Sequence, residues 1–253
     1  MCVYYWVDCD KQKSAKAIKN ILNYINEAFD NPNKFESDII RQINEALAVR
    51  GQYDNSTRER LNFLLSDSQN LRDIIIKDAE KNKELFKTEG MARIGDITPV
   101  QTDMDSIKMM RFGILGFNNT TLFNVRSEDA EAKPTWKGPM LNTRCIIPTT
   151  QYIETYTDEF GSGKKVKYIF WLPEKKRIYM AGVWRQEESL FKRYAILTRQ
   201  AVGEVEKIHG RMPVILNEEQ AETWLKEGNK AFGNAIHRYA AADVEYERFN
   251  EAG

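Results

Sequence analysis

Apolar positions recur along this chain with two different periods. In residues 11–88 the spacing is helical: Ile18, Ile21, Leu22 and Ile25 follow an i, i+3, i+4, i+7 stripe. Ile39, Ile43, Ala46 and Leu47 repeat it, and a third stripe runs through Leu61, Leu64 and Leu65. Breaks at Asn31-Pro32-Asn33 and at Gly51 separate the stripes, which predicts about three or four helices packed beside a core. Residues 2–7 read differently, as a β-prone aromatic strand (Cys-Val-Tyr-Tyr-Trp-Val). From residue 91 onward strands take over, predicted at 108–115, 121–127, 144–147, 166–172, 177–184 and 193–198. Residues 158–163 read as a hairpin loop and 214–216 as a short apolar strand. Asn217 then reads as the N-cap of a helix with Glu218 and Glu219 in its first turn, where the helix dipole favours anions. Strands dominate and helices are appended, so the expected class is α+β.

Composition sets the scale. The chain has 253 residues, 42% of them hydrophobic and 11% aromatic, enough for one large core or two small ones. It holds 37 basic and 37 acidic side chains, and a formal net charge of zero argues, taken whole, against a polyanionic partner. The average hides a gradient. Residues 1–90 carry net −1, residues 91–213 net +5 and residues 214–253 net −4, so an anionic ligand belongs in the middle of the chain. Three cysteines, Cys2, Cys9 and Cys145, do not read as a disulfide framework and point to a reducing compartment. No stretch of about 18 apolar residues would span a membrane. The first residues lack the basic start and apolar run of a signal peptide, so the expected location is cytoplasmic. Two histidines and no Cys-x-x-Cys pair make a zinc site unexpected.

Four constellations could carry chemistry. With Met1 removed, Cys2 would expose an amine of pKa about 7.7–8.0 beside a thiol of about 8.5, and both reactive forms exist near neutrality. Such a terminus condenses with an aldehyde to a Schiff base that the thiol closes into a thiazolidine, an intramolecular step favoured by proximity. Taken alone, Cys2 reads more simply as a small buried residue. In Asn124-Val125-Arg126-Ser127-Glu128 the amide, guanidinium and carboxylate share one strand face, suited to phosphate or sugar but also to plain solvation. His209 sits beside Arg211 in a turn closed by Pro213, pairing a proton shuttle with a phosphate fork. Glu154 follows the apolar run Cys145-Ile146-Ile147-Pro148, where desolvation would raise its pKa and let it act as acid or base.

These motifs occur together and in order. Met1-Cys2, Asn124-x-Arg126-x-Glu128, Arg144-Cys145-Ile146-Ile147-Pro148 leading to Glu154, and Ile208-His209-x-Arg211-Met212-Pro213 resemble the SOS response-associated peptidase (SRAP) family, whose members crosslink to abasic sites in single-stranded DNA. Supporting stretches are 93–99, Phe112-Gly113, 179–184 and 195–198. The resemblance implies one compact α+β domain over residues 1–253, built on a twisted, barrel-like, mostly antiparallel sheet. Residues 11–88 would then be a helical insertion and 226–253 a divergent tail. It implies Cys2 as nucleophile, with Asn124, Glu154 and His209 completing the site. Arg126, Arg211 and Thr198 would hold DNA, and Pro99 and Phe112 would form an apolar wedge against bases. It also implies abasic single-stranded DNA as partner, a monomer, an associated autoprocessing peptidase activity, and neither cofactor nor metal.

The chain departs from the family pattern in three places. Val3-Tyr4-Tyr5 replaces the usual Gly-Arg after the cysteine, Asp96 stands where an asparagine is usual, and Phe112 replaces a tryptophan. Two other readings stay open: a peptidase acting only on N-terminal extensions, and a non-covalent single-stranded DNA binding module.

Overall fold

The computed structural model describes residues 4–8, 11–30, 85–116, 120–157, 165–187, 192–226 and 243–250, with single positions at 41, 59 and 62. In chain order the strands are β1 (Tyr4–Val7), β2 (Met91–Ala92), β3 (Ile97–Gln101), β4 (Ile107–Phe112), β5 (Ile114–Leu115), β6 (Thr121–Leu122) and β7 (Asn124–Arg126). They continue as β8 (Arg144–Thr157), β9 (Lys165–Trp171), β10 (Ile178–Arg185), β11 (Arg193–Gln200), β12 (Arg211–Pro213), β13 (Ile215–Leu216) and β14 (Glu245–Arg248). The helices are α1 (Lys11–Asp30), α2 (Pro134–Asn142) and α3 (Glu218–Lys226).

Five strands close on themselves. β8 pairs with β10, β10 with β11, β11 with β4, β4 with β3, and β3 returns to β8. All these seams are antiparallel except β11–β4, so the barrel is mixed, and the expected α+β class with a barrel-like sheet holds. Closure removes edges that would otherwise expose unpaired backbone groups.

The long strand β8 organises the rest. Its sequence, RCIIPTTQYIETYT, is rich in the β-branched and aromatic residues that suit a pleated, half-buried surface. The expectation ended this strand at 147, before Pro148. The strand in fact runs on because Pro148 sits where β8 changes partners, from β10 over residues 144–149 to β9 over residues 151–157. A proline is tolerated where the ladder is interrupted. Thr149 Oγ1 donates to the Gln151 carbonyl at 2.9 Å across that bend and also bonds the Trp6 carbonyl.

β1 lies against β8, with Tyr4 opposite Ile153 and Tyr5 opposite Tyr152. Buried hydroxyls pin it across the interior. Tyr5 donates to Thr98 Oγ1 at 2.7 Å, Thr98 Oγ1 lies 2.6 Å from the Tyr194 hydroxyl, and the two tyrosine hydroxyls also touch. Phe112 fills the space between the rings, edge-on to Tyr5 at 5.7 Å and stacked on Tyr194 at 5.2 Å.

Helices α2 and α3 cover a second apolar layer through Trp136, Met140 and Trp224, and the Trp224 indole donates to the Cys145 carbonyl at 2.9 Å. Asn217 caps α3 as expected: its Oδ1 accepts from Gln220 N at 2.8 Å while Gln220 Oε1 accepts from Asn217 N at 2.9 Å. This reciprocal box contributes on the order of 1 kcal/mol. Helix α1 matches the first predicted stripe in its backbone, and its Ala17 and Ile18 pack against Ile97 and Met109. The stripes at Ile39 and Leu61 and the 158–163 loop lie outside the described residues.

Among the described strands and helices, β2, β3, β12, α2 and β14 were not expected. Helix α2 (PTWKGPMLN) carries Gly138 and an internal Pro139, which lower helix propensity. Strand β14 (EYER) has no apolar run; it forms by pairing along β9, with Tyr246 stacked on Phe170 at 5.5 Å. Both are set by tertiary packing.

Candidate active site

Strand β11 gathers the candidate residues from distant parts of the chain. β7 lies parallel to it, Asn124 opposite Ile196 and Arg126 opposite Thr198. β12 lies antiparallel on the same stretch, so Thr198 also faces Pro213. Alternation along β7 leaves Asn124 half-buried, buries Val125 and exposes Arg126. The loop entering β12 folds back through a 3-10 turn at Gly203–Lys207, and Ala201 N donates to the Gly210 carbonyl at 3.1 Å to close it. His209 is fixed there by its own N–H to the Val205 carbonyl at 2.9 Å.

Glu154 comes from β8 and is fully buried. Its Oε2 lies 3.8 Å from His209 Nδ1, near enough for electrostatic coupling and too far for a direct hydrogen bond. Burial raises the Glu154 pKa to about 7, against the pull of the chain's positive N-terminus. Burial pushes His209 the other way, below the usual imidazole value. The carboxyl therefore keeps its proton up to near neutrality beside an imidazole that stays uncharged, so Glu154 can give or take a proton close to pH 7.

The Arg211 backbone N–H donates to His209 Nδ1 at 3.0 Å. That bond fits a neutral imidazole carrying its proton on Nε2, and the Arg211 carbonyl, 2.9 Å from Nδ1, would accept once the ring is protonated. The Arg211 side chain is held as firmly. Nη1 and Nη2 donate to the two Glu128 oxygens at 2.7 and 2.8 Å, and Nη2 also reaches the Thr198 carbonyl at 2.8 Å. Burial alone would raise the Glu128 pKa, but the Arg211 guanidinium and backbone N–H donors, including Gln200 N at 2.9 Å, hold it at about 2. Glu128 is thus the residue whose part the sequence reading missed. It was visible as the third member of the Asn124-x-Arg126-x-Glu128 row, but its partner lies far along the chain.

Cys2 lies outside the described residues. Cys145 is no rival nucleophile: it is fully buried and burial drives its thiol pKa well up. Among the described residues no group of three or more His, Cys, Asp or Glu side chains is placed to hold a metal ion, and no helix is long and apolar enough to cross a membrane.

The profile of the SOS response associated peptidase (SRAP) family matches residues 1–251. The chain belongs to that family. Among SRAP relatives it is similar to the abasic site processing protein YobE of Bacillus subtilis (strain 168), 28% identical over 197 residues, covering 76% of this chain and 78% of that protein. It is likewise similar to the abasic site processing protein YoqW of the same organism, 27% identical over 216 residues, covering 82% and 85%. A crystal structure of a protein from Bacteroides thetaiotaomicron superposes with a TM-score of 0.56 at 19% identity, over 68% of this chain and 82% of that one.

Within this SRAP fold, part of the expected DNA-contacting set is corrected. Phe112 is 0% exposed between Tyr5 and Tyr194, and Pro99 is buried in β3, so neither side chain presents a wedge to a base. The aromatic side chain that the motif places at 112 belongs to the core. Thr198 is 1% exposed; its hydroxyl donates to the Val125 carbonyl at 3.3 Å and ties β7 to β11 instead of facing solvent. Asp96 caps a turn, accepting from Arg93 N at 2.9 Å. Of the expected contacts, Arg126 is exposed and Arg211 is accessible only at the edge of its ion pair.

Proposed function

We propose that this chain captures abasic sites in single-stranded DNA covalently, through a thiazolidine on Cys2, with associated removal of residues preceding that cysteine. The observation that carries this reading is the fully buried Glu154 carboxyl, its pKa raised to about 7, beside His209 on the strand that receives β1. Tyr4 pairs with Ile153, the neighbour of Glu154, and Cys2 precedes Tyr4 by two residues, a reach of at most about 7 Å. The two Bacillus relatives, both named abasic site processing proteins, support the same substrate.

The chemistry starts on Cys2 with Met1 removed. Glu154 moves a proton between the sugar hydroxyl and the ring oxygen, opening the abasic deoxyribose to its aldehyde. The Cys2 amine adds to the carbonyl carbon, and the resulting hydroxyl leaves as water with a proton from Glu154. The Cys2 thiol then adds to the imine carbon and its proton passes to the nitrogen, closing the ring. One water is lost overall. His209, carrying its proton on Nε2, donates to the sugar oxygen, Asn124 orients the Cys2 terminus, and Arg126 and Arg211 hold flanking phosphates.

Incubating Met1-processed protein with an abasic oligonucleotide should give a heat-stable adduct one water lighter than the summed masses, and Cys2→Ala should give none. Failure of correctly processed protein to form the adduct overturns the proposal. A peptidase whose role is confined to N-terminal extensions would cleave such an extension through Cys2 and Glu154 and leave abasic DNA unmodified.

A further inference from the structure

We infer that one face of the β8–β9 hairpin is a phosphate track for the DNA strand whose abasic sugar reaches Cys2, built from Lys167, Lys165, Thr155 and Thr157. This rests on the reading above and adds to it a surface that the family motifs do not mark.

Register puts the four residues side by side. Thr155 stands opposite Lys167 and Thr157 opposite Lys165, and directly opposed residues share a face. The intervening pairs, Glu154 with Tyr168 and Tyr156 with Val166, point to the other face. Tyr4 belongs to the same face as the track, because it pairs with Ile153 in the same alternation. Lys167 Nζ lies 5.1 Å from the centroid of the Tyr4 ring, a cation–π contact that holds the ammonium beside the N-terminal strand. From there the track runs outward: Lys167, Thr155 and Tyr4 are half-buried, while Lys165 and Thr157 are exposed.

The spacing and the chemistry match one ligand. Two residues along a strand advance about 7 Å, so the lysines repeat at about the separation of successive phosphates in an extended single strand. Each faces a threonine hydroxyl that can donate to a phosphate oxygen. Ammonium and hydroxyl donors fix a backbone in register without reading sequence, as a protein must when the target base is missing. Two described carboxylates of β14 share this face, Glu245 opposite Trp171, whose indole donates to it at 2.7 Å, and Glu247 opposite Ile169, and both lie away from the Lys165 end. The track begins at Tyr4, two residues along the chain from Cys2, and on the face opposite to the Glu154 side chain, so a strand lying in it would cross the start of β1 to bring its sugar to both.

The test uses the full chain and an intact, non-abasic single-stranded oligonucleotide, with anisotropy read across a salt series. Each phosphate contact contributes a slope of about −0.7 in log affinity against log salt, so Lys165→Ala with Lys167→Ala should make the slope shallower by about 1.4. Affinity at moderate salt should fall several-fold. Lys165→Arg with Lys167→Arg should keep the wild-type slope, and adduct yield at sub-saturating abasic oligonucleotide should fall several-fold in the double alanine variant and not in the double arginine variant. A wild-type slope in the double alanine variant, while the processed wild type forms its adduct, overturns the track alone. Absence of any adduct from the processed wild type overturns the underlying reading, and the track with it.

Discussion

Two buried glutamates in this barrel are treated in opposite ways. Glu187, past the end of β10, is 2% exposed and fully engaged: its oxygens meet Arg185 at 2.9 Å, Arg193 at 3.0 Å and the Leu115 N–H at 2.9 Å. Burial leaves its pKa raised, although the two guanidiniums and the N–H pull against that shift. Arg185 also donates to the Leu115 carbonyl at 2.5 Å and Arg193 to the Gly113 carbonyl at 2.9 Å, so the cluster fastens the β5–β6 hairpin to the barrel. Glu154 is as deeply buried, yet its ionisable neighbour, the His209 imidazole, stands at 3.8 Å and its pKa reaches about 7. A carboxylate tied to two arginines has little freedom to exchange its proton. One left near neutrality beside an imidazole is poised to do so, at the expense of stability.

The sharpest way to break this contrast is to remove Glu187. Glu187→Leu leaves Arg185 and Arg193 buried without their carboxylate, and loss of one partner from such a cluster costs about 3–5 kcal/mol. Chemical denaturation should show that loss, while the adduct formed per folded molecule stays at the wild-type level. A stable Glu187→Leu protein would mean that the cluster is not structural.

Glu154→Gln should move stability in the other direction. A carboxyl whose pKa is raised from 4.5 to about 7 on folding favours the native state fully below 4.5, and loses that contribution as pH rises through 7. The ionised form therefore carries a cost of about 3 kcal/mol at pH 8, at 1.36 kcal/mol per pKa unit. The amide escapes it, so Glu154→Gln should be more stable than wild type at pH 8 and show little difference near pH 4. Its adduct rate should drop by about 100-fold or more, the range for loss of a general acid–base group. The pH–rate profile should also lose the limb near 7 that the wild type shows. Equal stability of the two proteins at pH 8 would contradict the buried carboxyl.

The sequence made these two sites unequally legible. Glu154 could be found because it follows an apolar run on a strand, and His209 because it sits beside an arginine in a proline-closed turn. The Arg185–Glu187–Arg193 cluster gave no signal, since charged residues at strand ends normally read as solvated. Its burial follows from barrel closure, which sets Arg185 opposite Arg193 and Arg193 opposite Arg111. The same limit explains Phe112 and Thr198. Motif position marked them for DNA, whereas closure of β4 and β11 into one barrel turned both side chains inward. The strands of the barrel were mostly anticipated from β-branched runs. β3, β14 and the passage of β8 through Pro148 were not, because β3 carries Pro99 within its run and the other two depend on which strand lies alongside.

The Glu128–Arg211 pair sharpens the comparison from the functional side, with the smallest effect. Like Glu187 it is a carboxylate on a guanidinium, but its side chain is 39% exposed and that of Arg211 18%. A pair this open contributes no more than about 1 kcal/mol, so Glu128→Gln should barely change stability. With its pKa held at about 2, Glu128 stays ionised throughout the working range and occupies the fork that a DNA phosphate would take. Arg211 keeps a second anchor in the Thr198 carbonyl at 2.8 Å, which holds the guanidinium in place when the carboxylate charge is removed. Glu128→Gln should therefore bind intact single-stranded DNA a few-fold more tightly and steepen the salt dependence by about one contact's slope of 0.7. Weaker binding with an unchanged slope would show instead that Glu128 orients Arg211 for the strand, and that the fork is not exchanged between carboxylate and phosphate.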